Sequence, residues 1–345
     1  MHPNLLTRSL ALALVKISLP HRLVNNLFKV TVTVLPAFVL YRELHGRGDL
    51  PGIAGAFSAQ WERADGWWIC AACLLIPVNW MFEVEKWRPF ILRSEDITRW
   101  QAMKAVLAGT SFALFTPNRL GEYGGRLLFI RPENHWAAFL ANAVGSIGQY
   151  LVLLSGGLPG GIWFAGYFFG WDSRTQLEAL AAGIIALCAL YYCYFNIRLI
   201  IPLVRRIPLP KKLVPWRRHA AILESFSRPD LARVLAWSAL RYSIYSTQYF
   251  LLLQFFGIKT GISAGFAGIA TIFLLQTVVP LPAIAGLFVR GNLAIFVWTN
   301  FCASNVSILA ATFVLWIINL ILPALVGTFS LFHVNITKTL GYDDE

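Results

Sequence analysis

Charge is what this sequence has least of. Lys, Arg, Asp and Glu make up 13% of its 345 residues, roughly half the share that soluble domains carry. Extended polar segments are missing too: the longest, about 205–230, cannot form a soluble catalytic domain. No glycine-rich phosphate loop, nucleophile elbow or metal-spaced set of His and Cys occurs. The six histidines, His2, His21, His45, His135, His219 and His333, are scattered near expected helix ends. Five cysteines are present, and Cys70 and Cys73 form a CxxC. That pair sits in the apolar run "WWICAACLLIPV", where small packing residues are expected rather than a redox or zinc site. No catalytic residue, metal or cofactor is therefore expected. No short apolar segment with a small-residue cleavage site opens the chain, so no removed signal peptide is expected.

What is there is apolar. Hydrophobic residues make up 57% and aromatic ones 14%, and the mean hydropathy is +0.61. With many long apolar runs, this composition predicts an all-α polytopic membrane protein. The net charge of +12 then sets topology and attracts anionic headgroups, and no nucleic-acid partner is expected. Runs long enough to cross a bilayer lie near 24–42, 66–82, 136–158, 178–203, 231–256 and 306–332. Residues 1–23 are mildly amphipathic and read as a cytoplasmic, surface-lying segment.

Two apolar pieces are broken. One runs from 101 to 130 and is interrupted by "TPNRLGEYGG", with Pro117, Gly121, Gly124 and Gly125 at the break. The other, 262–298, is interrupted by "PLPAIAG", with Pro280, Pro282 and Gly286. Proline removes a backbone donor and glycine frees the chain, so both interrupt a helix. Positive charge orients the rest. Arg198, Arg205, Arg206, Lys211, Lys212, Arg217, Arg218, Arg228 and Arg233 stand against Glu224 and Asp230 alone, which puts the basic loop 204–230 in the cytoplasm together with the N-terminus. The bookkeeping closes if 101–130 and 262–298 each enter and return on one side as re-entrant hairpins. The alternative for 262–298 is two full spans. The first reading predicts about six full spans and two hairpins in an inverted repeat: 24–164, then 165–333, with a tail at 334–345. Pro117, Gly121 and Arg126 are echoed by Pro282, Gly286 and Arg290, and such repeats are common in secondary transporters.

Charge inside an apolar run costs roughly 2.5–3.5 kcal/mol on insertion scales and needs a partner or a task. Glu122 and Arg126 are four apart and are expected to pair, which leaves Arg119 uncompensated and suits an anionic guest such as a phosphate. Arg241 lies deep in the 231–256 run, with Tyr245 and Gln248 on its face. Asn142, Ser146 and Gln149 form a second polar stripe, which either glues helices or lines a cavity. Gln276 precedes the second break, and Arg290 follows it without an acidic neighbour. Residues 79–91, "NWMFEVEKWRPFI", read as an interfacial belt, from which Asn79 and Glu83 are able to reach inward.

The stretches "NWMFEVEKW", "GTSFALFTPNRLGEYGGRLLFI", "SIGQY" and "VVPLPAIAGLFVRGNLAIF" resemble the lysylphosphatidylglycerol synthase transmembrane-region family, over roughly 25–330. These are flippase-like proteins of bacteria and archaea, so the resemblance implies a prokaryotic inner membrane. The best-studied members carry a soluble aminoacyl-transferase domain that this sequence lacks, which implies lipid translocation without synthesis. The second hairpin lacks the acidic residue that members often carry beside its glycine and arginine, so a cationic headgroup does not carry over. The leading expectation is a flippase or transporter of an anionic phospholipid or polyprenyl-phosphate-type lipid. Arg119, Arg126, Arg241 and Arg290 would hold the phosphate. The alternative is a non-catalytic membrane subunit that docks a lipid-modifying or glycosyl-transferring enzyme. No oligomeric state follows from the sequence.

Overall fold

The computed structural model describes residues 27, 30, 50–62, 66–114, 116, 119–199, 220–278, 286–302, 304–332 and 334. The expected span 24–42, the segment 1–23, most of the basic loop 204–230, Pro117, Pro280 and Pro282, and nearly all of the tail lie outside the described residues. Among those described, no strand occurs. The helices are α1 (Leu50–Glu62), α2 (Gly66–Ile91), α3 (Arg99–Ala113), α4 (Gly121–Leu127), α5 (His135–Phe169), α6 (Ser173–Phe195), α7 (Arg228–Phe255), α8 (Ile262–Val278), α9 (Gly286–Trp298), α10 (Asn305–Trp316) and α11 (Leu322–Leu331). A π-helical turn, Ile317–Ile321, joins the last two into one rod.

Among the described residues, four helical stretches are long and apolar enough to cross a membrane: Gly66–Ile91, Pro132–Phe169, Ser173–Phe195 and Asn305–Leu331. The chain is a multi-pass membrane protein. Helix α7 has the length, at 28 residues, but it falls outside that set because Ser238, Arg241, Tyr245 and Gln248 lower its hydropathy. Helix α5 runs well past the expected 158, through Pro159, and ends where Gly170 takes φ +67°. That left-handed conformation costs glycine nothing and closes the helix. Only three residues, 170–172, then separate α5 from α6.

Local sequence sets the other ends. Thr98 and Gln101 form a reciprocal capping box at the start of α3, and Ser227 and Asp230 do the same for α7. Helices α3 and α4 are 15 and 7 residues long, about 22 and 10 Å at the helical rise. The hydrocarbon core is about 30 Å thick, so neither helix is long enough by itself to cross it. They pair antiparallel at very close range. A Cβ on Gly121 would sit 2.3 Å from the Phe112 carbonyl oxygen, and one on Gly125 would sit 2.6 Å from the Cα of Gly109. Gly121, Gly124 and Gly125 therefore lie inside α4, after the break; two of them let the arms meet, and Gly124 faces open space.

Helices α2 and α7 pack along each other at the centre of the molecule. Helix α3 packs on α11, where a Cβ on Gly327 would come 2.0 Å from the Leu107 carbonyl oxygen. Helix α8 packs on α5 through Gly157 and Gly160. Two apolar cores result. One gathers Tyr249, Phe255, Ile269, Trp298 and Trp316. The other gathers Trp80, Trp87, Val106, Val144 and Leu231. Along α2 and α7, the seam between these cores is polar.

A buried ion cluster as candidate functional site

Helix α2 supplies the centre of that seam. Asn79, Glu83 and Lys86 recur at four and seven residues, which places them on one helical face, and they are 1%, 3% and 5% exposed. The expected interfacial belt is therefore divided. Glu85 points outward to Arg99 at 2.6 Å, whereas Glu83 points into the bundle. The Glu83 carboxylate meets three cations. Arg126 Nη2 donates to Oε1 at 2.6 Å, Arg241 Nη1 donates to Oε2 at 2.6 Å, and Lys86 Nζ lies 2.7 Å from Oε2. Three elements, α2, α4 and α7, are thus tied at one side chain.

A second layer extends the network. Arg241 Nε donates to Asn79 Oδ1 at 3.1 Å, and Asn79 Nδ2 donates to Asn319 Oδ1 at 2.8 Å. Asn319 sits in the π-helical turn, whose extra residue re-aims side chains and which often marks functional positions. Lys86 Nζ also reaches Gln149 Oε1 of α5 at 3.5 Å. The guanidinium carbons of Arg126 and Arg241 lie 5.5 and 5.3 Å from the ring centroids of Trp87 and Trp80. These are cation–π contacts in a dry setting, where they are strongest.

Arg119 opens the hairpin return with φ +59°, a backbone region that non-glycine residues seldom occupy. Its guanidinium pairs with Glu122 Oε1, so Arg119 is not uncompensated as the sequence suggested. Glu122 is correspondingly the more distant partner of Arg126, at 3.4 Å. Thr116 closes the turn by accepting from Gly121 N at 2.6 Å. Arg126 is 2% exposed, yet among the described residues its Nε and Nη1 have no hydrogen-bond acceptor, and neither does Arg119 Nε. Buried donors are almost always paired, and these three are able to donate to an acceptor that a guest brings.

Of the residues singled out in the sequence, Arg119, Glu122, Arg126, Arg241 and Gln149 come together here. Ser146 accepts from Tyr123 beside them at 3.3 Å, and Asn142 is buried with its Nδ2 unpaired. Gln248 is fully buried and donates to the Ala72 carbonyl at 2.9 Å, which joins α7 to α2 away from the charges. Gln276 and Arg290 are half-buried, and among the described residues no ion pair or hydrogen bond links either to the cluster. Lys86 and Asn319 were not anticipated. The i, i+4, i+7 spacing from Asn79 would have found Lys86, and the lone polar residue in "LWIINLILP" would have found Asn319.

Fold and site together define a polytopic helical membrane protein with an ion cluster buried between its central helices. The model of the family described as the lysylphosphatidylglycerol synthase TM region matches residues 53–327, most of the chain, and the protein belongs to that family. The family associates it with lipid metabolism or lipid flipping at the membrane. No curated protein and no solved structure matches the chain.

Proposed function

We propose that this protein binds an anionic, phosphate-bearing lipid at the Glu83 cluster and moves it between the leaflets of a prokaryotic inner membrane, with its N-terminus in the cytoplasm. One observation carries this reading. The Arg126 guanidinium is buried beside three other cations and still has two nitrogen positions without an acceptor. Guanidinium groups match phosphate oxygens in geometry and charge, and a headgroup phosphate would supply the missing acceptors. The side chains present position and neutralise such a group; the reading requires no bond to be made or broken.

The packing supports transport by two opposed hairpins. Exchanging the halves maps α2 onto α7, the α3/α4 pair onto α8/α9, and α5 onto the α10–α11 rod. Under that exchange the α3–α11 contact becomes the α8–α5 contact, and the α2–α7 pairing maps onto itself. Repeats of this kind, with broken helices at mid-membrane, suit a cavity that opens to one leaflet at a time. Arms too short to cross the bilayer are tolerated where protein or water surrounds them.

The test is reconstitution into liposomes with a fluorescent anionic phospholipid and a polyprenyl-phosphate analogue, scored by a membrane-impermeant quencher. Wild-type protein is expected to move at least one of them faster than empty liposomes do, and Arg126→Ala is expected to slow it about tenfold or more, as loss of a charged hydrogen-bond partner does. Movement no faster than in empty liposomes across the panel would overturn the proposal.

A further inference from the structure

The cluster has more positive charge than it can neutralise. Four cationic side chains, Arg119, Arg126, Arg241 and Lys86, face two carboxylates, Glu83 and Glu122, which leaves an excess of two positive charges. The other charged groups on the packed elements turn elsewhere: Arg228 donates to Asn196 Oδ1 and Arg233 is exposed. Glu85 is taken by Arg99. Arg88 donates to the Ile97 carbonyl. Lys104 lies over the Trp100 ring. His135 contacts the Ile130 carbonyl, and Asp230 pairs with Arg93. None of them cancels the excess. Uncompensated charge away from water is costly, and it favours a guest that brings the opposite charge.

We propose that the site selects a lipid whose phosphate is a monoester, carrying close to two negative charges, over a phosphodiester carrying one. This inference rests on the phosphate-lipid reading above. Charge and donors agree on it. A diester cancels one of the two excess charges, whereas a fully ionised monoester cancels both. A monoester also offers three terminal oxygens, and three guanidinium positions lack an acceptor: Arg126 Nε, Arg126 Nη1 and Arg119 Nε. The approach is on the side of Arg119, whose side chain is 40% exposed, against 3% for Arg126 and 15% for Arg241.

The matched probes are dioctanoyl phosphatidic acid, its phosphomethyl ester and inorganic phosphate. Each is titrated into the full chain in nanodiscs of neutral lipid and followed by tryptophan fluorescence, to which Trp80 and Trp87 respond. At pH 7.5 the monoester is expected to bind about tenfold or more tighter than its methyl ester. A phosphomonoester loses its second charge near roughly pH 6, so that advantage should shrink as pH falls to 5, while diester binding stays level. Arg119→Ala, in the most exposed member of the cluster, should reduce the preference without unfolding the protein. Equal affinity for the two lipids at pH 7.5 would overturn the monoester assignment and leave the phosphate reading standing. No saturable binding of either lipid would overturn both. Inorganic phosphate binding as tightly as phosphatidic acid would point to free phosphate and overturn the lipid.

Discussion

The α3/α4 pair and the α8/α9 pair play the same packing part with different chemistry. Helix α3 is seated against α11 through Gly327, and α8 is seated against α5 through Gly157 and Gly160. In the first hairpin Arg119, Glu122 and Arg126 join Glu83, Lys86 and Arg241 in a dense ionic network. In the second, Arg290 has no ion pair among the described residues. The central helices differ in the same sense. Gln248 stands 165 residues after Glu83, the offset that separates Pro282 from Pro117. Both side chains are deeply buried, and one is an anion while the other is a neutral amide. On the proposed repeat, the counter-ion is present on one side only among the described residues. The proposed repeat would therefore concentrate its charge recognition in one half.

The largest expected effect comes from removing that counter-ion. Glu83→Gln leaves Arg126, Arg241 and Lys86 facing one another in a dry environment. Breaking a buried pair costs roughly 3–5 kcal/mol, and here one residue serves three cations. Thermal unfolding in detergent should show a large fall in Tm, whereas Glu85→Gln, which removes a partner of the exposed Arg99, should lower stability by about 1 kcal/mol or less and barely move Tm. Similar shifts for the two variants would mean that the Glu83 network does not hold the halves together.

A smaller effect separates the two hairpin seats. A Cβ at Gly327 would sit 2.0 Å from the Leu107 carbonyl oxygen, and one at Gly160 would sit 2.8 Å from that of Ala267. Backbone cannot yield as a side-chain tip does, so both alanine variants should destabilise by about 1–3 kcal/mol, with Gly327→Ala the worse. The reverse order in thermal unfolding would show that the first seat is the looser one.

The membrane class and most of the spans are legible in the sequence, because an apolar run about 20 residues long has few other uses. Arg119, Glu122, Arg126 and Arg241 are legible for the opposite reason: charge in such a run calls for a cause. Their partners are harder to read. Glu83 and Lys86 stand among Trp80, Glu85, Trp87 and Arg88, a composition typical of a membrane interface, and only the helical period separates the inward face from the outward one. Asn79 meets Asn319, 240 residues away, and no local pattern records that distance. The Arg119–Glu122 pair depends on a left-handed arginine in the turn, a conformation for which the sequence gives no signal.

The smallest expected change is at Arg290, and it bears most directly on the comparison. This side chain is half-buried and makes no ion pair among the described residues, so Arg290→Ala should leave stability within about 0.5–1 kcal/mol of wild type. If charge recognition resides in the first hairpin, the variant should also keep most of its lipid movement in the liposome assay, while Arg126→Ala loses it. Among the described residues Arg290 pairs with no carboxylate, so removing it strands none of them and a loss of rate reports on the lipid. Loss as deep as that of Arg126→Ala would mean that the second hairpin also grips the phosphate, with the lipid itself as the counter-ion that its half of the protein does not supply.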